Sequence, residues 1–226
     1  MNKHMQKHYL LFDTETVDVS DLSIFDIGFI VFNESYEIVH KQRLVFKEIV
    51  DNEERFKKCY YYSNKDFYKD LEKHEYPDLK ITLNKLIKEY NIKGLFAFNI
   101  DFDIRSLHYT FKRYELSKDG IDKTKLKKHG IELYDIIDIF LMNVDIKKYT
   151  KYCLEKNFIT EKGNIKYTAE VINRYILNRD DVVETHTALE DCEIEFNIIN
   201  HVRTLDGFDI NKKLPTKAYL YLKQNQ

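Results

Sequence analysis

The stretch LLFDTETVDV, residues Leu10–Val19, joins a run of apolar residues to two acids that stand one residue apart. Side chains two positions apart on a strand point to the same face, so Asp13 and Glu15 are predicted to project together while Thr14 points away. Two carboxylates in one small volume repel each other unless a cation neutralises them. Because an isolated pair of this kind is usually a solvated strand end, it indicates a metal site only if other acids converge on it.

Two further β-rich segments follow this one closely, with the sequences IFDIGFIVFN and YEIVHKQRLVF. Together with HYLLFDTE they predict an antiparallel meander of three strands, because only Glu34 and Ser35 separate the last two. From about residue 53 to residue 90 the pattern becomes helical, and DLKITLNKLIKEY places its leucines on one face.

The second half of the chain alternates between strand and helix patterns. GLFAF predicts a strand, FDIRSLHYTFKRYEL a helix and IELYDIIDIF a last strand, before helical segments that end with TALEDCEIEFNIINHVRTL. Antiparallel strands followed by strands that alternate with helices are typical of a mixed α/β sheet.

Length and composition favour a single domain spanning residues 1–226. The net charge of −2 gives no overall basic character, so a surface that binds nucleic acid must be local. Three cysteines without CxxC spacing argue for a reducing compartment and against structural zinc. The charged N-terminal sequence MNKHMQKHYLLF fits neither a signal peptide nor a membrane span, so we expect a soluble cytoplasmic protein that has no membrane partner.

A second group of acids follows the predicted strand GLFAF, in the sequence AFNIDFDIRSL. Asp101 fits a helix start, where a carboxylate interacts favourably with the helix dipole. Asp103 is a better candidate for chemistry, because ligands usually bind at the carboxyl ends of the strands in an open α/β sheet.

A third group lies in ETHTALEDCEIEF. Thr187 and Glu190 have the spacing of a capping box, which predicts a helix beginning at Thr187 with His186 just outside it and Asp191 in the first turn. Taken alone, these are a surface histidine and an acid at a helix terminus. Combined with other acids, they are typical of a general base beside a metal ligand.

These three segments together resemble the DEDDh (DnaQ-like) family of 3′-to-5′ exonucleases, in the ribonuclease H-like superfamily. FDTET, FNIDFD and HTALED are similar to its three motifs in their order along the chain, and IFDIGFIV resembles the glycine-containing strand after the first motif. The resemblance spans about residues 8–202 and leaves a C-terminal extension, residues 203–226. Two departures are Phe98, where many members have histidine, and TVDVSDL, where Thr-Gly is more usual.

The resemblance implies a ribonuclease H-like α/β fold with a five-stranded mixed sheet flanked by helices. It implies that two divalent ions, Mg²⁺ or Mn²⁺, are held by four carboxylates: Asp13, Glu15, Asp103 and Asp191. His186 would be the general base, and nucleoside 5′-monophosphates would be released from a free 3′ end. The residues next to the motif acids are assigned to substrate binding: Thr14, Thr16, Phe98 and Asn99.

The motifs do not separate DNA from RNA. DNA is the favoured substrate, with RNA or short oligoribonucleotides as the alternative, and a non-catalytic binding or polymerase accessory subunit as the rival from another class. All five catalytic positions are filled, which favours an enzyme. A polymerase is a candidate partner, although the short C-terminal segment KKLPTKAYLYLKQNQ favours a free-standing protein. The oligomeric state is left open.

Two segments are candidates for binding the nucleic acid itself. KRYELSKDGIDKTKLKKHG carries a local excess of basic residues that either follows a phosphate backbone or only aids solubility. CYYYSNKDFY offers rings for stacking on unpaired bases, although packing within the protein is the more common use of such rings.

Overall fold

The computed structural model describes residues 6–211, and its centre is the predicted meander. Strands β1 (His8–Thr16), β2 (Ile24–Asn33) and β3 (Ile38–Phe46) pair antiparallel in that order. Every residue of β2 is buried, because this strand has a neighbour on each side and is covered on both faces. The prediction of a three-stranded antiparallel unit is confirmed.

Three more strands complete the sheet, all of them in parallel pairings. Strand β4 (Lys73–His74) pairs with β3, β5 (Ile92–Ala97) with β1, and β6 (Glu132–Asp135) with β5. The order is β4-β3-β2-β1-β5-β6, so the sheet is mixed as predicted but has six strands instead of five. The additional strand β4 has two residues, which is too short to produce a pattern in the sequence.

Nine α-helices are present among the described residues, and most of them flank the sheet. They are α1 (Lys47–Val50), α2 (Glu53–Phe56), α3 (Tyr76–Glu89), α4 (Ile100–Arg113), α5 (Lys123–Lys128), α6 (Ile136–Asn143), α7 (Ile146–Glu155), α8 (Ala169–Leu177) and α9 (Ala188–Val202). The expected helical stretch 53–90 is therefore interrupted by turns, a short 3-10 helix (Tyr62–Asn64) and β4. The predictions of α3, α4 and α9 are confirmed, and Thr187 is the N-cap residue of α9.

The prediction of the last strand is correct for Glu132–Asp135 and wrong after it, because α6 begins at Ile136. The Asp135 carboxylate accepts a hydrogen bond from the backbone N–H of Ile137 at 3.1 Å, which caps the new helix. A short apolar run such as IIDIF fits a buried strand and a buried helix equally well, so periodicity could not separate them.

The alternation along β1 divides the interior into two cores, one on each face of the sheet. Leu10 and Phe12 pack in the core that contains α3 and α4, whereas Leu11 packs in the core that contains α6 to α9. Asp13 and Glu15 share the face of Leu11, and Thr14 shares the face of Phe12. The two acids therefore lie on the α9 side of the sheet.

The start of α9 lies directly against β2 at Gly28, which pairs with Asp13 across the strands. A Cβ atom at position 28 would lie 2.5 Å from the carbonyl oxygen of Ala188. Only glycine permits this contact between a strand and a helix terminus. The close approach brings α9 to the end of β1 that carries the acids.

The described part of the C-terminal extension packs onto the second core through Leu205, Phe208 and Ile210. Residues 212–226, which form the short segment discussed above, lie outside the described residues. Within residues 6–211, none of the helices combines the length and the apolar character that crossing a membrane requires. The division into one domain stays a prediction.

Candidate active site

A cleft of about 460 Å³ lies where β1 ends and where α4 and α9 begin. The structure brings all five predicted catalytic residues to this cleft: Asp13, Glu15, Asp103, His186 and Asp191. Three of the residues assigned to substrate binding line it too: Thr14, Thr16 and Phe98. Asn99 does not; it is exposed, and its backbone N–H donates to Asp135 at 3.1 Å.

Asp13 and Glu15 reach the cleft from the end of β1. Their cross-strand partners on β2 are Gly28 and Asp26, so both acids are held by a central strand of the sheet. Glu15 is 8% exposed and Asp13 is half-buried. The sheet therefore places these two side chains on one face, as predicted.

Asp103 comes from the other face of the sheet, on the first turn of α4. It is 2% exposed, and its Oδ1 accepts a hydrogen bond from the Thr14 hydroxyl at 2.8 Å. Thr14 points away from its two acidic neighbours, as the sequence predicted, and this orientation lets it contact α4. Its hydroxyl therefore orients a carboxylate of the cleft.

Asp191 and His186 come from the start of α9 and from the loop before it. Oxygens of Glu15 and Asp191 and a ring nitrogen of His186 lie within 4.8 Å of one another, close enough to hold one metal ion. Asp191 is buried, and its Oδ1 has no hydrogen-bond partner within residues 6–211. An unpartnered buried carboxylate oxygen fits a site that accepts a cation.

The carboxylates of the cleft lie together without a positive charge to neutralise them. Burial, reinforced by the neighbouring carboxylates, holds the pKa of Asp13 and of Glu15 well above the usual range. Burial likewise raises the pKa of Asp103 to about 7 and that of Asp191 to about 8. Among the described residues, no lysine or arginine forms an ion pair with any of these four acids. The cleft is therefore suited to divalent cations.

Three further acids line the cleft that the sequence did not single out: Asp18, Glu184 and Glu195. Glu195 is 3% exposed, and its Oε2 accepts a hydrogen bond from the backbone N–H of Phe98 at 3.3 Å. Glu184 lies two residues before His186, and burial raises its pKa to about 7. Glu195 follows Asp191 by four residues on α9, a spacing that places both on one helix face and could have revealed it.

A different buried acid, Asp26, anchors the start of α9. Its Oδ2 accepts hydrogen bonds from the Tyr68 hydroxyl and from the backbone N–H of Ala188, both at 3.1 Å. Arg43 Nε lies 3.4 Å from its other oxygen, and Arg43 also contacts Glu190 on α9. This network fixes the helix that carries Asp191.

The two segments suggested for nucleic-acid binding differ in where they lie. Tyr60 and Tyr61 line the cleft, and Tyr60 is 82% exposed, whereas Tyr68 is fully buried against Asp26. Lys123 of α5 forms an ion pair with Asp101, close to the end of α4 that lines the cleft. The aromatic segment therefore divides between surface and core, and the basic segment approaches the cleft at Lys123.

Comparison with known proteins gives structural matches alone. No protein-family model and no curated protein sequence matches the chain. Escherichia coli exonuclease I in complex with a dA16 oligonucleotide matches with a TM-score of 0.56 and 14% identity, over 89% of this chain and 41% of that one. The zinc-bound form of the E. coli ExoI–ssDNA complex matches with a TM-score of 0.55 and 13% identity, over 97% and 43%.

A product-bound structure of exonuclease I gives a similar result, with a TM-score of 0.58 and 13% identity, over 88% of this chain and 44% of that one. This chain thus spans less than half the length of the exonuclease I chains that it matches. The matches show that the chain has the ribonuclease H-like α/β fold of exonuclease I. Assignment to the DEDDh branch stays a prediction.

Proposed function

We propose that this protein is a metal-dependent 3′-to-5′ exonuclease that releases nucleoside 5′-monophosphates from DNA. One observation carries the proposal: acids from both faces of the sheet and a histidine line one cleft, and no described basic side chain is paired with the acids. The similarity in fold to exonuclease I, solved with DNA oligonucleotides, supports the same substrate class.

The donor set fits hard divalent cations. Carboxylate oxygens are the ligands that Mg²⁺ and Mn²⁺ prefer, and the unpartnered Oδ1 of Asp191 is available for one. We assign the two ions to Asp13, Glu15, Asp103 and Asp191. When bound, such ions stabilise charge on the phosphoryl group and its leaving oxygen and lower the pKa of water.

His186 is the group that we assign to proton transfer. Burial lowers the pKa of its imidazole below the usual value, so the ring is neutral near pH 7 and can accept a proton. It lies beside Glu15 and Asp191 in the cleft, where it can reach a water held by the same acids. The His186 ring would accept the proton of the attacking water, and bound cations would keep the carboxylates ionised.

The substrate contacts follow from the walls of the cleft. Tyr60 and Phe98 present apolar rings beside the acids, which suits stacking on the bases at an unpaired end. The Thr14 hydroxyl is used by Asp103, so its contribution to the substrate is indirect. The basic segment KRYELSKDGIDKTKLKKHG, residues 112–130, is assigned to the phosphate backbone. A polymerase partner stays a prediction.

The test is digestion of matched 5′-labelled single-stranded DNA, duplex DNA and RNA with Mg²⁺ or Mn²⁺. We expect a ladder that shortens from the 3′ end and mononucleotide products, with DNA degraded faster than RNA. Faster degradation of RNA would establish the alternative substrate. Efficient cutting of a covalently closed circle would show an endonuclease, and activity in excess chelator would contradict the role of metal.

A further inference from the structure

Among the five predicted catalytic residues, His186 is the one that lies outside a helix or strand. It lies in the irregular segment 178–187 between α8 and α9, and its backbone has a φ of 54°, in the left-handed region. A non-glycine residue adopts this conformation at a cost and keeps it only when its surroundings impose it. The contacts that impose it therefore bear on how the imidazole is placed.

One contact is a ring stack from a distant part of the chain. The rings of Tyr61 and His186 are nearly parallel, with an angle of 8° and a centroid separation of 4.0 Å. A flat stack of this kind fixes the tilt of the imidazole and covers one of its faces. A nitrogen of the ring lies within 4.8 Å of carboxylate oxygens of Glu15 and Asp191.

A second contact holds the backbone of the same loop. The side-chain amide of Asn64 donates hydrogen bonds to the carbonyl oxygens of Thr185, at 2.7 Å, and of His186, at 3.3 Å. These bonds connect residues that are 121 and 122 positions apart in the sequence. Both contacts come from the Tyr61–Asn64 segment.

This segment is itself anchored to the rest of the protein. The backbone N–H of Tyr60 donates to the carbonyl oxygen of Val17, just after β1, at 3.2 Å. Cys59 is buried, and the ring of Tyr62 packs edge-to-face on Phe56. The segment is therefore fixed relative to the strand that carries Asp13 and Glu15.

We propose that Tyr61 and Asn64 are positioning residues that hold the His186 imidazole against the acids of the cleft. The inference rests on the proposed function, in which His186 accepts a proton from water. Tyr61 fixes the ring through stacking, and Asn64 fixes the backbone on which the ring is mounted. Since a misplacement of about 1 Å can cost about 10²-fold in rate, both residues affect catalysis through the placement of His186.

The experiment compares Tyr61→Leu, Tyr61→Phe and Asn64→Ala with Tyr62→Leu as a matched control. Tyr62→Leu makes the same chemical change in the same segment, but its ring packs on Phe56 instead of His186. Two quantities are measured: kcat and KM with DNA, and the NMR shifts of the His186 ring protons, which are identified by their loss in His186→Ala.

We expect Tyr61→Leu to remove the upfield ring-current shift of the His186 protons and to lower kcat by about 10-fold to 10²-fold with little change in KM. Tyr61→Phe should restore both quantities, because it keeps the stacked ring. Asn64→Ala should lower kcat in the same direction, and Tyr62→Leu should leave the His186 shifts in place.

Wild-type kcat in Tyr61→Leu, or His186 shifts that do not respond to it, would overturn the proposal. An equal loss of kcat in Tyr62→Leu would also overturn it, since the loss would then reflect general loosening of the segment. A protein that degrades no nucleic acid would contradict the proposed function alone, because the ring-current measurement does not depend on activity.

Discussion

Asp26 and Asp191 are two buried carboxylates near the start of α9 whose surroundings differ. Asp26 accepts two hydrogen bonds on Oδ2 and has Arg43 Nε 3.4 Å from Oδ1, whereas Asp191 faces other acids and forms no ion pair in the described part of the chain. Burial raises the pKa of Asp26 to only about 6, against about 8 for Asp191. Removing a buried acid that has partners in the fold leaves those partners unsatisfied, whereas a buried acid without a neutralising partner is suited to an external cation.

The largest expected effect follows from removing charge from the unneutralised acids. Asp103→Asn and Asp13→Asn each keep the shape of the side chain but weaken a metal ligand. Losing about 5 kcal/mol of transition-state stabilisation by metal corresponds to about 10⁴-fold in rate. We expect this loss of turnover without a loss of thermal stability. Asp101→Asn, which removes an exposed acid from the same helix, is the control, and robust hydrolysis by either cleft variant would contradict the metal assignment.

The next effect concerns His186, which we assign to proton transfer. His186→Ala should lower kcat by about 10²-fold to 10⁴-fold, because losing a general base costs that much. Affinity for Mn²⁺ should change little, since the carboxylates are assigned as the ligands. In the wild type the rate should rise with pH through the lowered pKa of His186 and then level off. Single-turnover rates across pH and titration with Mn²⁺ measure these effects, and His129→Ala, at an exposed histidine, is the control. A near wild-type kcat in His186→Ala would show that His186 is only a loop residue.

A smaller effect should distinguish Asp26 from Asp191 by the free energy of unfolding of their variants. Asp26→Asn leaves the ion-pair partner Arg43, whose side chain is 13% exposed, with Glu190 alone. We expect the free energy of unfolding to fall by about 1–3 kcal/mol, the typical cost of leaving a buried polar group without its partner. Asp191→Asn should not destabilise the metal-free protein, because it removes repulsion. Chemical denaturation of both variants in chelator tests this difference. Equal destabilisation of the two variants would contradict it.

The smallest effect is the pH dependence of stability without metal. The pKa of Asp191 in the folded protein, about 8, lies above its usual value, so the folded state retains a proton that the unfolded chain has released. Stability must then fall as pH rises towards 8, by about 1 kcal/mol between pH 7 and pH 8. Mn²⁺ should reverse this fall, and Asp191→Asn should reduce it. Thermal melting at fixed ionic strength measures it, and stability that rises over this interval in chelator would contradict the raised pKa.

Much of the fold could be predicted from the sequence because its signals are local. LLFDTETVDV alternates side chains between opposite faces and IFDIGFIVFN is a nearly continuous apolar run, and the structure has these strands at the centre of the sheet. The position of Thr187 at the N-terminus of α9 was also predicted from the sequence. The sequence pattern was ambiguous for the helix that begins at Ile136, which was predicted as a strand. It was too short to reveal the two residues of β4.

The sequence by itself determined five of the groups that the cleft contains, since Asp13, Glu15, Asp103, His186 and Asp191 follow recognisable elements in a recognisable order. Only the tertiary structure decided how they are held. Thr14 meets Asp103 because α4 crosses the end of the sheet, and Tyr61 meets His186 across a separation that no local pattern records. The physical reason is that propensity and periodicity act over a few residues, whereas these contacts depend on how distant segments pack once the two cores have closed.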